Sequence, residues 1–209
     1  MLGLTIPVAL VVLVGMVQGG SSARWSAMHV RWWPIAAACL LVQVALFSPL
    51  LEMQPLVVVY GPWLYVLSLL GVCATLLANA REGKAARLPL TLAALGVALN
   101  CVVIVANGGY MPRSDQAAAS LGMPSTAQLM EQRLVNVEPM GERTRLGWLG
   151  DIIAQPTWLP LANVVSIGDL LLSGGLAWWA LQVTTGSDPW SARRRERVAG
   201  SDTAVSSAH

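Results

Sequence analysis

Residues 88–106 read LPLTLAALGVALNCVVIVA, an apolar run that contains no charged side chain. A helix rises about 1.5 Å per residue, so a run of this length covers nearly the whole ~30 Å hydrocarbon core of a bilayer. Apolar and polar residues do not alternate with period two along it, which argues against a strand of a membrane barrel. The run therefore predicts a membrane-spanning helix.

Four further runs share this character and lie at 2–17, 34–51, 62–80 and 163–183. Pro34 and Pro62 open two of them, and Pro89 falls in the first turn of 88–106, where the missing N–H of proline costs no hydrogen bond. Charged residues make up 11% of the chain, against roughly 25% in soluble domains. We predict an all-α membrane protein, a five-helix transmembrane bundle with helices 1–4 in residues 1–106 and helix 5 in 163–185.

The basic residues cluster in three links of this bundle. They are Arg24 and Arg31, then Arg81, Lys84 and Arg87, then Arg193, Arg194, Arg195 and Arg197. Five spans place all three links on one side, which is cytoplasmic by the positive-inside rule. The sequence thus predicts a protein of the bacterial cytoplasmic membrane with its N-terminus outside and its C-terminus inside. Residues 186–209 are predicted to form a basic, largely disordered cytoplasmic tail.

One long segment, residues 107–162, separates the fourth and fifth runs and would lie outside the cell. We call it the connecting segment. Connections this long usually contain structure of their own. Ser125 and Gln128 have the spacing of a capping box, and Met130, Leu134 and Val137 follow on one helical face. We expect a partly helical extracytoplasmic segment, including a helix of about three turns from Ser125 onward.

Three motifs stand in and beside the connecting segment. They are Asn107-Gly108-Gly109-Tyr110-Met111-Pro112, Leu149-Gly150-Asp151-Ile152-Ile153 and Ser166-Ile167-Gly168-Asp169. In this order they resemble a family of uncharacterised bacterial integral membrane proteins that carry Asn-Gly-Gly-x-Met-Pro, Leu-Gly-Asp-Ile-Ile and Ser-Ile-Gly-Asp motifs. The family is a domain of unknown function, so the resemblance implies an identity and no mechanism.

The first two motifs allow both a structural and a functional interpretation. Asn107, Gly108 and Gly109 tolerate the left-handed backbone that closes a helix, and Met111-Pro112 forces an extended exit. Alternatively, the glycines expose backbone to a ligand. Gly150-Asp151 likewise suits a turn or a helix cap, or a site. The sequence leaves both open.

Asp169 is the most informative single residue, because an ionisable group within a span is costly and often functional. Counted along the predicted helix, it lies about 9 Å below the outer start. Asn100 and Gln43 lie at similar depth in their own helices, so the three form a predicted polar intramembrane layer. In one interpretation Asp169 is a structural anchor that accepts hydrogen bonds. The donors would be Asn100, Gln43, Ser166 or a loop arginine, namely Arg113, Arg143 or Arg145. In the other, the layer lines a pocket with Asp169 as a proton or cation site.

The sequence predicts no enzyme, no metal and no cofactor. It holds no Ser/His/Asp or Cys/His set and no phosphate-binding loop, and Cys39, Cys73 and Cys101 lie in apolar runs as packing residues. A net charge of +2 gives no reason to expect a nucleic-acid partner. We expect a non-catalytic accessory or assembly subunit of a membrane complex. Its partners would be the lipid bilayer and membrane proteins, or further copies of itself. The alternative is a small oligomeric transporter or ligand-binding membrane protein that uses the layer around Asp169.

Overall fold

The computed structural model describes residues 30–46, 55–131, 136–159 and 162–186. The predicted helix at 2–17 and the predicted tail, apart from Gly186, lie outside the described residues. Within them the chain is mainly helical. Its elements are α1 (Trp33–Leu46), α2 (Pro55–Ala80), α3 (Lys84–Ala106), β1 (Met111–Arg113), α4 (Asp115–Ser120), α5 (Thr126–Glu131), β2 (Val137–Pro139), β3 (Ile153–Ala154), β4 (Val164–Val165) and α6 (Ile167–Thr185), with a 3-10 turn at Gly147–Leu149.

The four long helices pack in a chain of neighbours. Helix α1 packs on α2, α2 on α3, and α3 on α6, so α3 is the central helix. Val59–Ala80 of α2 and Ala85–Ala106 of α3 are long and apolar enough to cross a membrane, whereas α1 is apolar but shorter. The helical class is thereby established, and the five-span bundle stays a prediction.

Two helices begin earlier than their apolar runs. Helix α2 starts at Pro55, so Pro62 lies inside the helix and does not open it. The first-turn proline is Pro55, which stands where a missing N–H is harmless. Helix α3 starts at Lys84, which puts Pro89 beyond the first turn. Lysine, alanine and arginine are good helix formers and extend a helix past the end of its apolar part.

Helix α6 begins later than its apolar run. Residues 164–165 form β4, which pairs antiparallel with β3, and the helix starts only at Ile167. Asp169 therefore lies in the first turn of α6, and the prediction that it lies six residues inside helix 5 was wrong. Val164 and Val165 are buried, so their apolar character reflects packing in a strand and not a span.

The connecting segment is folded against the end of the bundle. Strand β1 pairs parallel with β2, from Met111↔Val137 to Arg113↔Pro139, and Arg113 also bridges to Asp151. The expected helix after Ser125 is present over Thr126–Glu131, and it cannot include Val137 because that residue belongs to β2. A core formed by α2, α3, Met111 and Leu149 joins the segment to the bundle.

Candidate functional site

Asp169 belongs to a capping box at the start of α6. The Ser166 hydroxyl accepts from the Asp169 N–H at 2.9 Å, and Oδ2 of Asp169 accepts from the Ser166 N–H at 3.2 Å. This reciprocal pair satisfies two amide groups that a helix start leaves without partners. The same carboxylate then accepts from Nδ2 of Asn100 through Oδ1, at 2.8 Å. Asp169 thus fastens α6 to α3.

Close packing of α3 and α6 makes this contact possible. A Cβ on Gly96 would collide with the carbonyl of Gly168, and a Cβ on Gly168 would collide with the side chain of Asn100. Ser166, which is fully buried, donates its hydroxyl to Oδ1 of Asn100 at 2.9 Å. Asn100 is therefore held by Ser166 and Asp169 together.

Gln43 stands apart from this pair. Its buried amide donates to the Ser68 hydroxyl at 3.0 Å, and Ser68 donates to the carbonyl of Tyr65 at 2.6 Å. The structure thus brings together two of the three residues of the predicted polar layer. Gln43 instead joins α1 to α2.

The Asn107-Gly108-Gly109 motif closes α3. Gly108 and Gly109 have φ values of 69° and 103°, and the Gly109 N–H donates to the Ile104 carbonyl at 2.8 Å, as in a Schellman cap. Gly109 also lies so close to Pro62 that a Cβ would overlap it. Asn107 accepts from the Arg145 N–H at 2.8 Å and donates to the Arg145 carbonyl at 2.9 Å. The motif therefore ends the helix and ties it to the connecting segment.

Asp151 is held in place by its backbone beside β1. Its N–H donates to the Pro112 carbonyl, and its carbonyl accepts from the Ser114 N–H, both at 2.8 Å. Gly150 approaches so closely that a Cβ would lie 2.5 Å from the Pro112 carbonyl oxygen. These contacts explain why Met111-Pro112 and Gly150-Asp151 occur as motifs, since each forms one side of the same ladder.

The side chain of Asp151 is less well satisfied. Its Oδ1 atom is buried and has no hydrogen-bond partner among the described residues. Burial, and to a smaller extent the nearby Asp169 carboxylate, raise the pKa of Asp151 to about 8, although Arg113 opposes the rise. A carboxyl in a poorly solvated site favours its neutral form. These surroundings therefore favour the protonated form of Asp151.

An open depression of about 550 Å³ lies where the end of α3 meets residues 138–145. Glu142, Arg143 and Arg145 at its rim are exposed and carry both signs of charge. Burial raises the pKa of Glu138 in its wall above the usual value. The depression offers mixed, solvated charges and no concentrated field for an ionic ligand. In the described part of the chain, no three His, Cys, Asp or Glu side chains are grouped to hold a metal.

A family model described as a family of unknown function (DUF5317) matches residues 27–181, which include all three motifs. The chain belongs to the DUF5317 family. Neither the curated proteins nor the solved structures contain a match to it.

In this DUF5317 protein the sequence indicated Arg113 only as a candidate hydrogen-bond donor to Asp169, and its burial was not predicted. Arg113 is 3% exposed, which is rare for an arginine. Its guanidinium donates to the Pro124 carbonyl at 3.3 Å and contacts the Met123 sulfur at 3.6 Å. Within the described residues, the one ion pair closer than 4.0 Å is Arg31–Glu82, so no loop arginine pairs with Asp169. The one sequence signal for a special role of Arg113 was its position directly after the Met111-Pro112 motif.

Tyr65 was missed altogether, because one tyrosine in an apolar run is usually a packing residue. It is 8% exposed and belongs to the core. Its side chain is hydrogen-bonded with Asn136, and it interacts electrostatically with Asp151 and Asp169. Tyr65 thus links α2 to the connecting segment at the place where both carboxyl groups lie.

Proposed function

We propose that this protein is a polytopic protein of the bacterial cytoplasmic membrane that serves as a non-catalytic accessory or assembly subunit of a membrane complex. In this proposal the bundle anchors the protein, and the connecting segment is a folded platform on its outer surface. Three features of the structure support this proposal.

The helix surfaces support a membrane location. Their outward side chains are apolar, with Leu41 68% exposed, Leu67 64% and Val59 61%. Soluble monomers rarely expose so much apolar surface. Many polar side chains of the helices are buried instead, and these include Gln43, Ser68, Thr75, Asn79, Asn100, Ser173 and Thr184. This inside-out distribution suits helices surrounded by lipid.

Contacts at the other end of the bundle support the proposed orientation. Arg31 donates from its backbone N–H to Oδ1 of Asn79 at 2.8 Å, and its guanidinium pairs with Glu82 at 3.2 Å. These bonds bring the first basic link to the turn that carries Arg81. The second basic link is therefore at the same end as the first, while the connecting segment lies at the opposite end of α3. Basic residues gathered at one end favour the cytoplasm for that end.

The single observation that carries the non-catalytic role is the engagement of Asp169. Both of its oxygens accept hydrogen bonds, one from Asn100 and one from the Ser166 backbone. A carboxylate used in this way supports an anchor between α3 and α6. Trp148 and Trp158 of the connecting segment are 63% and 79% exposed, and exposed tryptophan is enriched where proteins bind one another.

Purification of the tagged full-length protein in mild detergent tests the subunit role. A protein partner present in constant stoichiometry is the expected result, and a protein that always elutes without one contradicts the proposal. Trp158→Ala should reduce the partner yield because it removes the most exposed aromatic side chain of the connecting segment. Trp33→Ala is the matched control, since Trp33 is also exposed but lies on α1 at the opposite, lipid-anchoring end.

The alternative, a transporter or ligand-binding protein that uses Asp169, predicts a different outcome for Asp169→Asn. If the variant accumulates in the membrane and unfolds like wild type but loses a transport or binding signal, the anchor role fails. A variant with reduced thermal stability supports the anchor, because the carboxylate then contributes to packing.

A further inference from the structure

The connecting segment rests on the bundle at a place where two carboxyl groups lie close together. Asp169 belongs to α6, Tyr65 to α2 and Arg113 to β1. Each of the three interacts electrostatically with Asp151. Asp169 is already fixed by Asn100 and by its capping box. Asp151, by contrast, has a buried oxygen without a hydrogen-bond partner among the described residues.

The backbone of Asp151 can move aside to relieve an added charge only if its hydrogen bonds break. Its N–H donates to Pro112 of β1, and its C=O accepts from Ser114, the residue that follows β1. Gly150 is pressed against the Pro112 carbonyl. An ionised Asp151 would therefore keep its buried Oδ1 atom without a hydrogen-bond donor. A buried acceptor of that kind is costly, and more so when charged.

Arg113 does not neutralise this charge by contact. Its guanidinium donates to Pro124 and lies against Met123, and no described carboxylate lies within 4.0 Å of it. Arg113 lowers the pKa of Asp151 only from a distance, whereas burial and the Asp169 carboxylate raise it. The neutral acid is consequently the form that fits the packed contact.

We infer that Asp151 is a proton-binding site that couples the seating of the connecting segment on the helix bundle to the pH at that surface. With the proton bound, the carboxyl is neutral and the segment stays packed against α2 and α3. When the proton leaves to water, a second negative charge appears beside Asp169, and the ladder between 112–114 and 151 loosens. Because the pKa of Asp151 is about 8, this loosening occurs in mildly alkaline solution.

Two readouts on the full-length protein in lipid nanodiscs test the inference. The first is the infrared C=O stretch of a protonated carboxylic acid, compared between wild type and Asp151→Asn. The second is the rate of tryptic cleavage after Arg113, which is 3% exposed, divided by the rate after the exposed Arg143 and Arg145. The ratio cancels the pH dependence of trypsin itself. Glu142→Gln is the matched control, because Glu142 is an exposed carboxylate of the same segment.

Wild type should show the band at neutral pH and lose it above about 8, while the cleavage ratio rises severalfold over the same range. Asp151→Asn should lack the band and keep a low ratio at every pH, and Glu142→Gln should behave like wild type. A missing band at neutral pH overturns the inference, as does a ratio that ignores pH or rises equally in Asp151→Asn. Failure of Asp151→Asn to accumulate also counts against it, since asparagine has the shape of the neutral acid.

Discussion

The amide of Asn100 donates a hydrogen bond of 2.8 Å to the carboxylate of Asp169 and so joins the central helix α3 to the first turn of α6. A hydrogen bond to a charged group contributes about 1.5–3 kcal/mol, which is more than a neutral one contributes. The bond also fixes the side chain that receives the Ser166 hydroxyl. The seating of α6 therefore depends on a polar contact as well as on apolar packing.

A double-mutant cycle measures this contact directly. Asn100→Ala and Asp169→Ala should each lower the thermal stability of the detergent-solubilised protein. The double variant should lose less than the sum, with a coupling of about 1–3 kcal/mol. Gln43→Ala combined with Asp169→Ala is the control, because Gln43 bonds to Ser68 and shares no partner with Asp169. Additive effects for Asn100 and Asp169 would contradict the anchor, and strong coupling to Gln43 would restore the three-residue layer.

Backbone contact between α3 and α6 gives a second prediction. A methyl group on Gly96 would strike the carbonyl of Gly168 and lie 2.6 Å from the Leu172 nitrogen. Gly96→Ala should therefore force the helices apart and cost about 1–3 kcal/mol of stability. Gly174→Ala is the matched substitution, since its methyl group meets nothing within 4 Å, and alanine favours helix. We expect it to leave the midpoint of thermal unfolding unchanged or raised. Equal effects of the two variants would refute the close packing.

The limits of sequence reasoning are clearest at Asp169 and Gln43. An apolar run from 163 to 183 looks like a helix because buried strand residues and span residues are both apolar. The pattern Ser166-Ile-Gly-Asp169 is a capping signal and would have placed the helix start correctly. Gln43 was assigned to the layer by its depth alone. Depth along a helix does not say which neighbour a side chain faces, and that is decided by how the helices are rotated.

Asp151 shows a different limit. Its turn position could be predicted from Gly150-Asp151, but its burial depends on pairing with β1, almost forty positions earlier in the chain. The same long-range pairing buries Arg113. No local pattern encodes which distant strand covers a residue, so the altered pKa of Asp151 could be recognised only from the folded structure.

The two motif glycines that follow Asn107 give a third prediction. Gly108 and Gly109 both have positive φ, but only Gly109 lies against Pro62. Gly108→Ala should cost about 1 kcal/mol for its left-handed backbone. Gly109→Ala should cost clearly more, because its methyl group would also displace α2. Chemical denaturation of both variants in the same detergent gives the comparison. Similar losses would show that the motif is needed for the turn alone.

Acid titration of Asp115 gives a fourth prediction. Its carboxylate accepts from the N–H of Thr126 at 2.7 Å and from the Thr126 hydroxyl, and the latter bond is the main reason that the pKa of Asp115 lies below its ordinary 3.8. A group with a lowered pKa stabilises the fold above its ordinary value and loses that contribution as the pH falls through the lowered one.

Wild type should accordingly lose stability on acidification below about pH 4, and Asp115→Asn should lose part of that dependence. Asp115 is largely solvated, so the effect should be modest. Thermal unfolding of both proteins between neutral and acidic pH measures it, with Glu142→Gln as the control for an exposed carboxylate of the same segment. If Asp115→Asn retains the full acid sensitivity of wild type, the bond to Thr126 does not hold α4 to α5 in solution.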